Sequence, residues 1–258
     1  MAEWLGRDLS AIDLVVLMID GVYVGEDHVL LVALGFDAQG NKHVLGVREG
    51  ATENAASCTA LLTDMRDRGL RTEGAILAVI DGAKALAKAI HSIFGTRALI
   101  QRCQQHKSRN VTDQLPEDMR PSVRQVLRDA YGCADAARAK RMLTNLVHRL
   151  RNQNPGAASS LEEGLDETLT VKRLGLPDRL ARQLSTTNAI GSMRRITARV
   201  KRWRNGRMML RWTVAAIADA ATRFRRATGS REGMTHLVRA LKDHEKALAT
   251  VASRKQAA

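Results

Sequence analysis

The sequence predicts an α/β fold in which a mixed sheet occupies the N-terminal part of the chain and helices make up the rest. Two observations predict it. Short continuous apolar runs, separated by turn residues, recur as far as residue 101 and are interleaved with two stretches of helical periodicity. Beyond Cys103 the apolar residues recur only at helical spacing.

Residues 14–20 (LVVLMID) form the first run, as in a strand buried on both faces. Residues 29–36 (VLLVALGF) are a second, Asp37-Ala38-Gln39-Gly40 is a turn, and residues 43–47 are a third, shorter strand. The three read as an antiparallel meander. Over residues 52–68, Ala56, Leu61, Leu62 and Met65 fall at helical spacing and Gly69 closes the helix. Residues 75–80 (AILAVI) are a fourth strand that ends at Asp81-Gly82. Residues 83–94 are a helix stopped by Gly95, and residues 98–101 a short fifth strand.

After Cys103, residues 122–131, 134–152 and 155–169 read as helices with charged outer faces, followed by a short helix over 177–184. A long helical stretch runs from Thr187 to Thr228, interrupted near Asn205-Gly206, and residues 236–253 form a last amphipathic helix. Three strands, helix, strand, helix, strand and then helices is the order of a ribonuclease H-like domain, although other α/β folds begin the same way.

Composition narrows the class. A chain of 258 residues, 45% hydrophobic, can bury a full core, and with only 3% aromatic residues that core is aliphatic. No apolar run is long enough to cross a bilayer, and the N-terminus lacks the basic-then-apolar order of a signal peptide. Cys58, Cys103 and Cys133 are an odd number at irregular spacing, which argues against a disulfide framework and for a reducing cytoplasm. The net charge is +14. Residues 1–100 carry 9 basic against 13 acidic side chains, residues 101–200 carry 18 against 10, and residues 201–258 carry 14 against 4. A basic excess confined to the C-terminal side suits a polyanion, with nucleic acid ahead of an anionic membrane surface. The alternative is a solvated basic face that serves solubility.

Two aspartates stand out. Asp20 and Asp81 each close a strongly apolar strand, and each precedes a glycine. A carboxylate at a strand end sits at the rim of a sheet, and the glycine lets a phosphate backbone come close. Two carboxylates on neighbouring strands can share Mg²⁺ or Mn²⁺, hard cations that take oxygen ligands. Two such ions roughly 4 Å apart activate an attacking oxygen and stabilise a departing one. Read singly, either aspartate is a strand followed by a turn. Cys103-Gln104-Gln105-His106 has the spacing of metal ligands, but a structural zinc needs four and no second pair matches, which leaves a buried thiol and a hydrogen-bonded imidazole. Around it Arg102, Lys107 and Arg109, mixed with amide side chains, suit phosphate contact. From residue 194 to 211, eight basic side chains occur with no acid: Arg194, Arg195, Arg199, Lys201, Arg202, Arg204, Arg207 and Arg211, with Trp203 and Trp212 among or beside them. Such a density repels itself unless phosphates neutralise it. No phosphate-binding loop, dinucleotide fingerprint, nucleophile elbow or zincin motif is present.

Several segments together resemble the mutator-type insertion-sequence transposases of bacteria: residues 13–55 (DLVVLMIDGVYV through ATENA), 78–86 (AVIDGAKAL), 98–111 (ALIQRCQQHKSRNV), 168–177 (TLTVKRLGLP), 185–193 (STTNAIGSM) and 200–212 (VKRWRNGRMMLRW). The resemblance runs from about residue 8 to 230 and preserves the order and spacing of the motifs. It implies a ribonuclease H-like core over residues 8–112, a helical insertion over 113–185, a catalytic-helix region over 186–230 and a terminal helix over 231–258. It implies Mg²⁺- or Mn²⁺-dependent cleavage and joining of double-stranded DNA, at the terminal inverted repeats of a mobile element and in target DNA. It further implies an oligomer on DNA and no membrane partner. Asp20 and Asp81 become the first two acids of an Asp-Asp-Glu triad, and Cys103 with His106 a motif that supports the active site.

Two departures matter. The family's third acid lies in a Thr-Asn-x-Ile-Glu-Ser stretch, and here that stretch reads Thr187-Asn188-Ala189-Ile190-Gly191-Ser192, with glycine in the acid's place. The family also carries a DNA-binding region ahead of the first strand, so this chain reads as N-terminally truncated. The expectation is impaired strand transfer; Glu162, Glu163 or Glu167 are conceivable replacements inside the insertion. A non-catalytic remnant that still binds DNA is the second reading, and a cellular ribonuclease H-like nuclease such as a resolvase the third.

Overall fold

A computed structural model of the chain describes residues 2–24, 28–191, 206–221, 224–227 and 230–256. A first turn of helix, α1 (Ala2–Leu5), leads into β1 (Leu14–Val24), β2 (His28–Asp37) and β3 (Lys42–Glu49), then α2 (Ala55–Asp67), β4 (Ile76–Ile80), α3 (Lys84–Phe94) and β5 (Ala98–Arg102). The strands form one sheet in the order β3-β2-β1-β4-β5. β1–β2 and β2–β3 are antiparallel, whereas β1–β4 and β4–β5 are parallel. This mixed sheet flanked by helices is the α/β architecture expected from the sequence, and its arrangement is consistent with a ribonuclease H-like fold.

Both faces of the sheet are covered, which is why its strands are apolar without alternation. Leu17, Ile19, Leu31, Ala33, Ala78 and Ile80 face α2 and α3. Val16, Met18, Val32, Leu34, Leu77 and Val79 point the other way, toward α9 (Asp178–Leu184), α11 (Gly206–Ala221) and α12 (Ser230–Gln256) through Leu180, Leu184, Val214, Ile217, Leu237 and Leu241. Ile190 joins the same cluster from α10, of which residues 188–191 are described.

A third cluster belongs to helices alone. α5 (Arg120–Gly132), α6 (Ala136–Gln153) and α7 (Pro155–Glu162) pack around Val123, Leu127, Leu143, Leu146, Leu150 and Leu161. α4 (Gln104–Asp113) adds Val111. Caps set these boundaries: the Asp135 carboxylate accepts from Ala137 N at 2.7 Å and Arg138 N at 3.0 Å, and Asn154 Oδ1 accepts from Ala157 N at 2.9 Å.

Three expectations change. The helix read over 155–169 stops at Glu162, and after Gly164 the chain resumes as a 3₁₀ turn (Asp166–Leu169) and α8 (Thr170–Arg173). Gly164 has φ +63, a left-handed conformation, and a Cβ there would collide with the Arg102 guanidinium. β1 does not end at Asp20 but runs on to Val24, paired with β2. Residues 224–227, read as helix, belong to no helix, and Ala227 N donates to Gly40 O at 2.8 Å.

Candidate active site

Parallel pairing of β1 with β4 ends at Ile19 and Ile80, so Asp20 and Asp81 are the next residues on each side of the last paired position. β4–β5 pairing ends one strand further at Ile80 and Arg102, which places Cys103 beside them. The cleft therefore lies beyond the last parallel pairs of these strands, where β4 and β5 end and β1 continues paired with β2 alone. Asp20, Asp81, His106, Arg109, Thr187 and Gly191 all line it.

Asp20 is buried, 8% exposed, and accepts from Gly21 N at 2.9 Å. Burial pushes its carboxyl above the ordinary carboxylate range; His106 and the Thr187 hydroxyl pull it back, and the charge of Asp81 pushes it further up. Asp81 is held by two donors, the Thr52 hydroxyl to Oδ2 at 2.7 Å and Ala83 N to Oδ1 at 2.9 Å. Next to it, Gly82 adopts φ +111, and its bare Cα faces the Arg102 guanidinium.

Cys103 is fully buried at the start of α4, with its amide bonded to Ile80 O at 2.7 Å. Burial opposes its thiolate, but the His106 imidazole more than offsets this, and the thiol titrates below its ordinary value. His106 is raised to about 8 by the Cys103 hydrogen bond first, against the cost of burial, with Asp20 and Asp81 adding to the rise. The shift on His106 favours its imidazolium form, which the charges of the two aspartates help to hold. A protonated imidazole is no metal ligand. Among the described residues no three carboxylate, imidazole or thiol groups surround a common point.

The basic residues separate into three groups. Arg109 is exposed on the cleft wall and available to a phosphate. Arg102 and Lys107, expected at phosphates, are enclosed instead. Arg102 is 7% exposed and its Nε donates to Glu167 Oε2 at 2.6 Å; Lys107 is 3% exposed and its Nζ donates to the carbonyls of Ser160 at 2.5 Å and Glu163 at 2.7 Å. The neighbouring amides are used in the same way: Gln101 and Gln104 both donate to Thr168 O at 2.9 Å. These side chains clasp the 163–171 segment to the sheet. Arg211 is exposed on α11, where Trp212 is exposed beside it. Arg207 lies on the same helix, whereas Arg194, Arg195, Arg199, Lys201, Arg202 and Arg204 lie outside the described residues.

Thr187 and Gly191 sit one turn apart on the same helical face, toward the cleft. A Cβ built on Gly191 meets no described residue within 4 Å.

The sequence reading missed Thr52, Glu53 and Thr187. All three line the cleft, and all three come from loops or a helix start rather than from a strand end.

Comparison with known proteins identifies similarity over most of the chain. A family model described as "Transposase, Mutator family" matches residues 1–227. The transposase for insertion sequence element IS6120 of Mycolicibacterium smegmatis is 32% identical over 191 residues, 72% of this chain and 58% of the relative. The transposase for IST2 of Acidithiobacillus ferrooxidans is 32% identical over 163 residues, 63% of this chain and 54% of the relative. The transposase for ISRM5 of Rhizobium meliloti is 31% identical over 161 residues, 62% of this chain and 39% of the relative. The matched part of this chain thus spans little more than half of these relatives, or less.

Proposed function

Because the chain belongs to the mutator family of transposases, matched over residues 1–227, we propose that its cleft cleaves and joins DNA strands at the ends of an insertion element. The observation that carries this reading is the placement of Asp20 and Asp81 one step beyond the paired ends of two adjacent parallel strands, in a single open cleft. Their oxygen donors fit Mg²⁺ or Mn²⁺, the class of cation that prefers carboxylates. When bound, such ions supply a Lewis acid to the scissile phosphate and a more nucleophilic water or 3′-hydroxyl.

The chain's own groups prepare that cleft. Thr52 and Ala83 N fix the Asp81 carboxylate, and Gly21 N with Thr187 favours the ionised form of Asp20. His106 compensates the paired negative charge while DNA is absent. Arg109 supplies a cation for a phosphate at the cleft wall, and the basic run from residue 194 to 211 adds charge for the DNA backbone. Residues 8–112 and 186–230 serve as the catalytic core, with 113–185 as an insertion clasped to it through Arg102 and Lys107.

Gly191 sets this copy apart. It stands at the motif position of the family's third acid and lines the same cleft as Asp20, with no described residue within 4 Å of a Cβ built there. Strand transfer by this chain is therefore weak, and a protein that binds element ends without cutting them efficiently is the second reading that Gly191 favours. The test is cleavage of duplexes bearing the DNA ends that flank the coding frame, with Mg²⁺ or Mn²⁺. Residual nicking is expected to depend on the metal and to vanish in Asp20→Asn and Asp81→Asn. Nicking that survives both substitutions would assign the reaction to another site.

A further inference from the structure

The walls of the cleft continue past it into a second groove. Around α4, Gln104 and Ser108, then Gln105, then Arg109 and His106 follow one another at successive angles of the helix. Arg109 and His106 line the cleft, Gln104 and Ser108 line the groove, and Gln105 lines both. The opposite wall is continuous in the same way. Arg182, Ser185 and Thr186 line the groove, and the next residues along the chain, Thr187, Asn188 and Gly191, line the cleft. Gln104 N donates to Ser185 O at 2.9 Å and joins the two walls.

The charges of the two halves differ. The cleft holds the carboxylates of Asp20, Asp81 and Glu53. The groove holds Arg128 of α5, Lys172 of α8 and Arg182 of α9 against a single acid, Asp178. Lys172 is half-buried, and its Nζ donates to Cys133 O, so it adds positive potential more than a free donor. Arg128 and Arg182 are exposed, and neither forms an ion pair with a described residue. Arg128 donates only to the neutral amide oxygen of Gln125. Two uncompensated guanidiniums on separate helices thus line one groove. A concave wall of one sign concentrates an anionic ligand, and a guanidinium matches the paired oxygens of a phosphodiester.

We infer that this groove carries the sugar-phosphate backbone of one DNA strand leading away from the cleft, with Arg128 and Arg182 as its phosphate contacts. The assignment rests on the reading of the cleft as a strand-transfer site. It gives the strand a path from Arg109 at the cleft wall, around α4, to the helical insertion.

The experiment measures binding of the full chain to a duplex bearing the DNA ends that flank the coding frame, by fluorescence anisotropy over a series of salt concentrations. Chelator is present throughout, so that no cleavage intervenes. Arg128→Ala/Arg182→Ala is expected to bind at least about tenfold more weakly at about 0.1 M salt, and its plot of log affinity against log salt to be shallower by about 2, one for each lost phosphate contact. Arg182→Ala alone is expected to lose about 1 from that slope. Arg128→Lys/Arg182→Lys keeps both charges and is expected to keep the parental slope. Arg71→Ala/Arg149→Ala removes two exposed charges outside the groove and is expected to behave like the parent chain. All four are expected to melt with the parent, because the altered side chains are exposed. A parental slope in Arg128→Ala/Arg182→Ala, with the parent chain binding the duplex, would overturn the groove as a strand path and leave the reading of the cleft standing. An equal loss in Arg71→Ala/Arg149→Ala would reduce the effect to net charge and overturn the path as well. No binding by the parent chain would overturn the reading of the cleft on which the path depends.

Discussion

Lys107 shows how far local chemistry departs from what a basic residue beside a basic-rich motif suggests. Its ammonium is enclosed, donates to the carbonyls of Ser160 and Glu163, and is lowered to about 8, by burial first and then by the positive charge of Arg102, with Glu163 and Glu167 pulling the other way. The folded-state value lies below the ordinary 10.5, so between these values the unfolded chain binds the extra proton. The cost of burying the charge is fully present below pH 8 and relieved as pH rises toward 10.5. Stability in urea is therefore expected to gain about 2 kcal/mol from this residue between pH 8 and 10, a gain absent in Lys107→Met. Equal pH slopes in the two proteins would contradict this assignment. Asp20 and Asp81 were legible in the sequence because each interrupts an apolar run at the point where a strand leaves its partner. Thr52, Glu53 and Thr187 lie in motif segments but were not singled out, because they meet the aspartates only once the β3–α2 loop and α10 fold over the same sheet edge.

Among the elements, the strands followed from apolar content alone, since helices cover both faces of the sheet. α4 did not. Its sequence, QQHKSRNVTD, carries one aliphatic residue, and the positions it buries include Gln104, Lys107 and Thr112. Such a helix has no apolar stripe to read; hydrogen bonds to the 160–168 segment fill the place of side-chain packing. The break between α7 and α8 was hidden for a related reason. Residues 155–169 keep a helical pattern, yet Gly164 turns left-handed so that Arg102 can lie against it and reach Glu167. Gly164→Ala is expected to cost at least about 2 kcal/mol, from the left-handed backbone together with displacement of Arg102. In a chain of this size that corresponds to a melting temperature lower by roughly 4 °C or more. An unchanged melting temperature would mean that the insertion does not depend on this clasp.

Taken as a whole, the sequence combines a mildly acidic sheet region holding the cleft with a basic C-terminal part, +10 over residues 201–258 from 14 basic and 4 acidic side chains. That polarity suits the proposed strand transfer, in which carboxylates serve the cleft and cations the DNA backbone. The fold class was legible from element order, and the family from motifs distributed from residue 13 to 212. The departure from the family's third-acid motif was legible at one position, Gly191, and no described residue lies within 4 Å of a Cβ built there. On the proposed reading the architecture for strand transfer is in place and lacks one carboxylate. Cleavage of element-end DNA with Mg²⁺ by the parent chain and by Gly191→Glu tests it most directly. The prediction is at least about a hundredfold faster cleavage by Gly191→Glu, the scale on which one positioned acid acts, with the gain abolished by Asp81→Asn. Equal rates for the parent chain and Gly191→Glu would contradict it.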